Sequence, residues 1–444
     1  MKKLVAIAKN KDVINRIFFT IMILLVFRIG AAIQVPGVTL SEDLQGAMNS
    51  SNALSLMNLL GGGALQNFSI FALGVSPYIT SQIIIELLSM DVLPALSELR
   101  KQGDSGRHKM EMATRYLTIM LGAVQAYGII KMMESSNYVT LAHTDAMYYV
   151  YLIIVMLAGG MLVMWLGDQI TVKGVGNGIS VIIFAGIVVS LPNQITTAWT
   201  KWIGVNVGRD SQYLLTGVLQ FLLYVLALVA IIAFVVFIEN SQRRIPVQQA
   251  GRGGNAKMSS ASFLPIKLNS AGVIPVIFAS SILMAPSVIA SFVSTEAANA
   301  QWLKVFSISE CYPMPGPNGS TWPMPWGLLI YLVLIIAFTF FYSQMQINPE
   351  QIAENFQKNG SYIPGIRPGK ETERYISKVL NRVTFIGAMS LAFVAMLPVA
   401  LTLSGVFGDD TSLAFGGTGL IIVVGVAKEI NDQIDGLLAG KSYD

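Results

Sequence analysis

Apolar residues in this chain run together in long blocks instead of alternating or forming one narrow stripe, so each block reads as a helix that is hydrophobic all round. A helix crossing the ~30 Å hydrocarbon layer of a bilayer needs about 20 mostly apolar residues. Blocks of that kind lie near residues 17–35, 69–90, 116–133, 147–167, 178–199, 213–238, 270–293, 324–344, 384–404 and 413–427. The last is the shortest, with Lys428 and Glu429 directly behind it. Between the first two, residues 54–68 are apolar but too short to cross, and Gly61, Gly62 and Gly63 break any long helix there. That stretch predicts a re-entrant half-helix, because irregular backbone is tolerated at membrane depth only where protein or a water-filled cavity covers it. The pattern as a whole predicts an all-α polytopic membrane protein with ten transmembrane helices.

Composition agrees with that class. The 444 residues are 53% hydrophobic, with a mean hydropathy of +0.60 and only 12% charged residues, whereas a soluble domain carries about 25%. A lone cysteine, Cys311, forbids an intramolecular disulfide, and with two histidines it cannot supply a structural zinc or haem-type site. No metal or cofactor is expected. Lys2, Lys3, Lys9, Lys11 and Arg16 precede the first block, which exceeds the about 7–15 apolar residues of a secretory signal and reads as a retained span.

Lysine and arginine on the short loops orient the spans. With the N-terminus inside, 24 of the 29 basic residues fall on the cytoplasmic side, and Arg28, Lys131, Lys201, Arg209 and Lys304 are the exceptions. Both termini are then cytoplasmic. The spans divide into two sets of five, residues 1–200 and 201–444, and an odd number per half makes the second half enter from the opposite side. Central pathways often lie between such inverted halves. Pro77 and Pro275, near the outer and inner ends of the second and seventh spans, are the one faint sign of that symmetry.

Enzyme signatures are absent. Residues 436–442 fall one position short of a phosphate-binding loop, with Asp435 where the first glycine belongs and no strand before them. Residues 174–178, GVGNG, read as a turn at the base of a span. An ion-coupled transporter keeps ionisable groups deep in the bilayer, and the in-span candidates here are Glu86 and Arg28, each near enough to an interface to snorkel. Two cytoplasmic loops stand out instead. In residues 346–381, prolines and glycines around Arg367 prevent helix and hold that arginine on a fixed turn. It is placed either to pair with a carboxylate or phosphate or to cap loop carbonyls. Residues 240–267 hold Arg243, Arg244, Arg252 and Lys257 among glycines and serines, a mobile basic finger suited to an acidic protein surface or ribosomal RNA. Positive-inside bias explains the same charges equally well.

Several of these stretches resemble the SecY family of protein-export channels. They are GGALQNFSIFALGVSPYI at 62–79, WLGDQIT at 165–171, GNGIS at 176–180, IIFAGI at 182–187, AGVIPVIFASS at 271–281, YIPGIRPG at 362–369 and FGGTGLIIVV at 415–424. The resemblance implies two inverted five-helix halves around an hourglass pore in the cytoplasmic membrane of a bacterium, clamped by SecE with SecG alongside. The implied pore ring is Val75, Ile79, Ile179, Ile183, Ile277 and Ile422. Aliphatic side chains of that kind are stiff at χ1 and offer no hydrogen bonds, so a ring of them seals by dewetting yet lets an unfolded chain slide. Without the resemblance each is an ordinary span residue. The implied plug is residues 54–68, including Leu60, Gly61, Gly62, Gly63, Ala64 and Leu65. A lateral gate is implied between the second and seventh spans, with Thr80, Glu86 and Asn269 facing one another, and Glu86 stands where the family commonly has Gln or Asn. Arg243, Arg244, Arg252, Lys257, Arg367 and Lys370 are implied as the docking surface for the SecA ATPase or for the RNA and protein of a ribosome. SecA would supply the ATP hydrolysis that this chain lacks. Implied substrates are signal-sequence-bearing preproteins, moved across unfolded or released sideways into membrane lipid. Two other readings stand beside this one: an accessory member of the family serving specialised substrates, and a small-solute secondary transporter.

Overall fold

The computed structural model describes residues 10–41, 58, 61–89, 93–102, 104–135, 137–143, 145–204, 211–249, 263–293, 301–307, 312–315, 321–403 and 416–440. The chain opens on α1 (Lys11–Ala32), capped by Asn10, whose side chain accepts from the Asp12 amide. There follow β1 (Val38–Leu40), α2 (Ser76–Leu88), α3 (Pro94–Lys101), α4 (Asp104–Ser135), β2 (Val139–Leu141), α5 (Ala146–Lys173), α6 (Gly178–Trp202) and α7 (Ser211–Asn240). Next come β3 (Gln242–Pro246), β4 (Gln248–Gln249), β5 (Phe263–Lys267), α8 (Ile274–Val293), β6 (Tyr312–Pro315), β7 (Thr321–Met324) and α9 (Trp326–Gln346). The last elements are α10 (Pro349–Lys358), β8 (Ser361–Tyr362), α11 (Lys370–Leu403) and α12 (Gly416–Gly440).

Among the described residues, seven helical segments are long and apolar enough to cross a bilayer: Lys11–Ala32, Ser105–Glu134, Ala146–Lys173, Gly178–Trp202, Tyr213–Asn240, Trp326–Lys358 and Lys370–Leu397. Their outer faces are apolar too. α1 exposes Phe18, Ile21, Leu25 and Ile29, and α7 exposes Leu215, Leu219, Leu222 and Leu226. Contiguous outward apolar surface on this scale suits lipid and not water. The protein is a multi-pass membrane protein.

Where the structure departs from the hydropathy reading, backbone chemistry explains it. The block at 69–90 is helical only over the 13 residues of α2. Residues before it turn, with Gly74 at φ +54, and Pro77 sits in the first helical turn, where its missing N–H costs no intrahelical bond. α8 starts in the same way, with Gly272 at φ +66 ahead of Pro275. α12 continues through Lys428 and Glu429 to Gly440, so residues 436–440 of the phosphate-loop near-miss are plain helix. The loop expected over 346–381 is largely helical at both ends. Asn348 caps α10 by accepting from the Glu350 and Gln351 amides, with Pro349 at its first position, and α11 begins at Lys370. Hydropathy marks only bilayer depth, and these helices run on into water because one face, with Ile376, Leu380 and Val383, packs on a small core.

Both halves contribute to one large core. Phe27, Val75 and Ile83 meet Ile182 and Ile187 of α6, Val276 and Phe278 of α8, Tyr331 and Ile335 of α9, Leu391 of α11 and Ile421 of α12. The halves touch where α8 meets α2 and α4, where α12 meets α6 and α1, and where α7 meets α6. A second cluster, with Val35, Leu65, Phe68, Leu152 and Met156, sits beneath the β1–β2 pair, and the Tyr148 hydroxyl donates to the Gly37 carbonyl at 2.7 Å. Close approach of α5 to this region depends on Gly159, where a Cβ would lie 2.0 Å from the Ile70 carbonyl oxygen. Gly159→Ala is therefore expected to lower stability by about 1–3 kcal/mol, read as a reduced thermal unfolding midpoint of the purified protein.

Candidate central constriction and its surroundings

The hexapeptide Gly-Val-X-Pro-X-Ile occurs twice, at 74–79 and at 272–277. In each copy the glycine has positive φ and the proline sits in the first turn of its helix. This repeated start delivers Val75 and Ile79 from α2, and Val273 and Ile277 from α8, into the same apolar cluster. Ile183 of α6 and Ile422 of α12 are buried there as well, and Ile179 packs against them partly buried. All six residues singled out by the family resemblance thus belong to, or pack against, one large apolar cluster to which both halves contribute. Their side chains offer no hydrogen-bond donor or acceptor.

Beside it lies the glycine turn. The Gly63 amide donates to the Asn58 carbonyl at 2.7 Å and the Gln66 amide to the Asn58 side chain at 3.1 Å. Leu65–Asn67 then forms one 3-10 turn, and Ala64, Leu65 and Phe68 are fully buried. Gly62, at φ +70, lies directly on α6, and a Cβ on Gly186 would come within 2.1 Å of the Gly62 Cα. Phe27 of α1 stacks on Phe71 with ring centroids 5.9 Å apart. Leu60 and residues 54–57 and 59 of the expected plug lie outside the described residues.

Thr80, Glu86 and Asn269 have no mutual hydrogen bond among the described residues. Thr80 donates to the Ser76 carbonyl of its own helix at 3.0 Å. Glu86 accepts from Gln82 at 2.9 Å and from the hydroxyl of Tyr342 on α9. Asn269, just ahead of α8, donates to Glu239 at the end of α7 (2.6 Å) and to the Gly272 carbonyl (3.0 Å). Its Oδ1 is buried without a partner. Neither Tyr342 nor Glu239 stands out in sequence. One is an aromatic inside an apolar block and the other an acid at a block's edge, and nothing local signals partners 256 and 30 residues away.

The two loops expected on the cytoplasmic side form one unit. β3 pairs antiparallel with β5, and β4 pairs antiparallel with β8, so Gln248 and Gln249 face Tyr362 and Ser361. Ile245, Ile266 and Ile363 share a core with Ile376 and Leu380 of α11. The basic finger expected to be mobile therefore has a hairpin base pinned to α11, while Arg252 and Lys257 lie outside the described residues. Arg243, Arg244, Arg367 and Lys370 are exposed on this unit. The Arg244 guanidinium sits 4.8 Å over the Phe263 ring, and it is the Arg367 carbonyl that accepts from Thr372 at 2.9 Å. Lys267 at the hairpin base and Lys428 both bond Asp432 of α12, at 2.8 and 3.0 Å. Burial pushes the Asp432 carboxyl up, but those two lysines outweigh it and hold it below the usual carboxylate range. One residue further, Gln433 accepts the Gly176 amide at 2.7 Å. The end of α12 thus ties the hairpin to the turn between α5 and α6.

A bundle of membrane-spanning helices from two halves around one apolar core, with a basic unit of paired loops at one end, suits a membrane channel. Residues 69–431 match the SecY family profile. The chain is 43% identical over 436 residues to the protein translocase subunit SecY of Bacillus subtilis (strain 168), covering 97% of this chain and 96% of that one. It is 40% identical over 444 residues to the subunit of the same name from Mycoplasma capricolum subsp. capricolum, covering 98% and 89%. Its fold matches a solved structure described as a protein conducting channel with a TM-score of 0.63 at 18% identity, covering 96% and 93%. This chain belongs to the SecY family of protein-translocase channel subunits, which conduct and do not catalyse.

Proposed function

We propose that unfolded, signal-bearing preproteins pass through the constriction of Val75, Ile79, Ile179, Ile183, Ile277 and Ile422, and that apolar segments leave sideways between α2 and α8 into lipid. The observation that supports this reading is that those six stiff aliphatic residues, drawn from both halves, belong to or pack against one apolar cluster. α2, α8 and α12 complete the seven long apolar segments to ten crossings of a bacterial cytoplasmic membrane. Both termini are then cytoplasmic, and the repeated Gly-Val-X-Pro-X-Ile is the mark of inverted halves. Residues 54–68 act as the plug, their glycine turn seated against α6 in the closed state. The paired cytoplasmic loops, with Arg243, Arg244, Arg367 and Lys370, dock the SecA motor or a ribosome, and SecE and SecG are the membrane partners. The Sec61 channel of a canine ribosome–channel complex has the same fold, with a TM-score of 0.62 at 16% identity over 96% of this chain.

The test is a preprotein arrested in transit and carrying a photo-crosslinker. Ile183 and Ile277 are expected among the labelled residues. Labelling confined to lipid-exposed residues such as Leu219 and Leu226 would overturn the reading.

A further inference from the structure

We propose that Glu86 and Tyr342 form the latch that holds the sideways exit shut, so that the α2 side of the exit closes against α9 as well as α8. This rests on the reading that apolar segments leave between α2 and α8. Glu86 is the acidic side chain of α2, and its carboxylate accepts from Gln82 within that helix and from the Tyr342 hydroxyl across the seam. The phenol is not free to wander. Phe278 of α8 meets the Tyr342 ring edge-on at 5.2 Å, and Phe341 packs on its other side at 5.9 Å. α8 thereby orients a donor on α9 that grips α2. An apolar segment entering the seam must part α2 from α8, and Phe278 and Tyr342 move with the α8–α9 side. Parting the seam breaks this one charge-assisted bond, a kind about twice as strong as a neutral pair. The carboxylate keeps Gln82 as a partner when the latch opens, so the open state leaves no bare charge. Aromatic packing alone would hold the seam without regard to register. The carboxylate adds a single geometry in which it is closed.

The experiment uses the full chain with its partner subunits in the membrane, and follows export of a secretory reporter with an intact or a defective signal sequence. Tyr342→Phe keeps the ring and its packing and removes only the hydroxyl. It is expected to raise export of the defective reporter about tenfold, the scale set by loss of a hydrogen bond to a charged group, with little change for the intact one. Glu86→Ala is expected to match it, Glu86→Gln, which still accepts but without the charge, to fall between wild type and Glu86→Ala, and Tyr342→Phe with Glu86→Ala to add nothing further. Wild-type tightness in Tyr342→Phe, or effects of the two single changes that multiply in the double, would overturn the latch. A photo-crosslinker in the intact signal sequence separates this from the underlying reading. Labels on α2 and α8 beside a silent Tyr342→Phe remove the latch alone, whereas labels on neither helix remove the exit and the latch with it.

Discussion

Gly186→Ala is expected to make the resting membrane leak ions, because it drives the glycine turn off the constriction. The added methyl would lie 2.1 Å from the Gly62 Cα, 2.7 Å from its carbonyl carbon and 3.1 Å from its oxygen. All three are backbone atoms, so no rotamer change relieves the contact. Gly62 is held at φ +70 and has Phe27 on its other side, where a Cβ would come within 2.6 Å of that ring. The turn at 61–63 must therefore lift from α6, and it carries the buried Ala64, Leu65 and Phe68 with it. Overpacking of this sort costs about 1–3 kcal/mol, and each 1.4 kcal/mol is about tenfold in population, so the displaced state rises roughly tenfold to a hundredfold. Conductance of purified complex in planar bilayers, with no substrate present, reads the difference directly. Gly160→Ala is the matched control: it is also a glycine inside a long helix, but its nearest neighbour would be 3.5 Å away, and it is expected to stay tight. A Gly186→Ala protein that accumulates normally and seals as well as that control would refute the seating of the turn.

Much of this architecture is legible in the sequence, and the part that is not shares one physical cause. Hydropathy locates segments at bilayer depth because each must be apolar around its whole circumference, and the glycines at 61–63 announce broken backbone. The same measure is blind to where a helix stops in water. α11 begins at Lys370, where a buried face with Ile376 and Leu380 extends it beyond the apolar block, and α12 runs on to Gly440. It is equally blind to direction. Ile183 is buried while Val188 and Val189 on the same helix are exposed, although all three read alike. Only family motifs select the six proposed constriction residues in advance, and the fold places them in or against one large apolar cluster. Pairings across long separations are the least legible. The hairpin strand Gln248–Gln249 pairs with Ser361–Tyr362 more than a hundred residues later, and the polar residues expected to face one another find other partners instead. Asn269 is the clearest case.

Asn269→Ala is expected to destabilise the protein strongly, and for a reason unconnected with the exit. Asn269 is 3% and Glu239 8% exposed, and the amide donates to the carboxylate at 2.6 Å. Polar contacts between membrane helices usually contribute only about 0.6–2 kcal/mol, because the separated helices find other partners. Here the dominant quantity is what remains when the amide goes: a carboxylate packed away from water and stripped of its donor. A buried acceptor left unsatisfied costs about 1–3 kcal/mol and more when charged, so the alanine variant should fall at or above the top of that range. Asn269→Asp should be worse, since two carboxylates would then face each other. Replacing both partners by leucine removes the charge, the donor and also the orphaned Asn269 Oδ1, and swaps of that type are often neutral or stabilising. The expected order of thermal stability in detergent is therefore Asn269→Asp lowest, Asn269→Ala next, and the Glu239→Leu, Asn269→Leu double close to wild type. Wild-type stability in Asn269→Ala would mean that Glu239 finds another donor. The same order should appear with the exit locked by a crosslink, because the contact joins the entrance of α8 to the end of α7 and leaves α2 untouched; an order that vanishes on locking would return Asn269 to the gate.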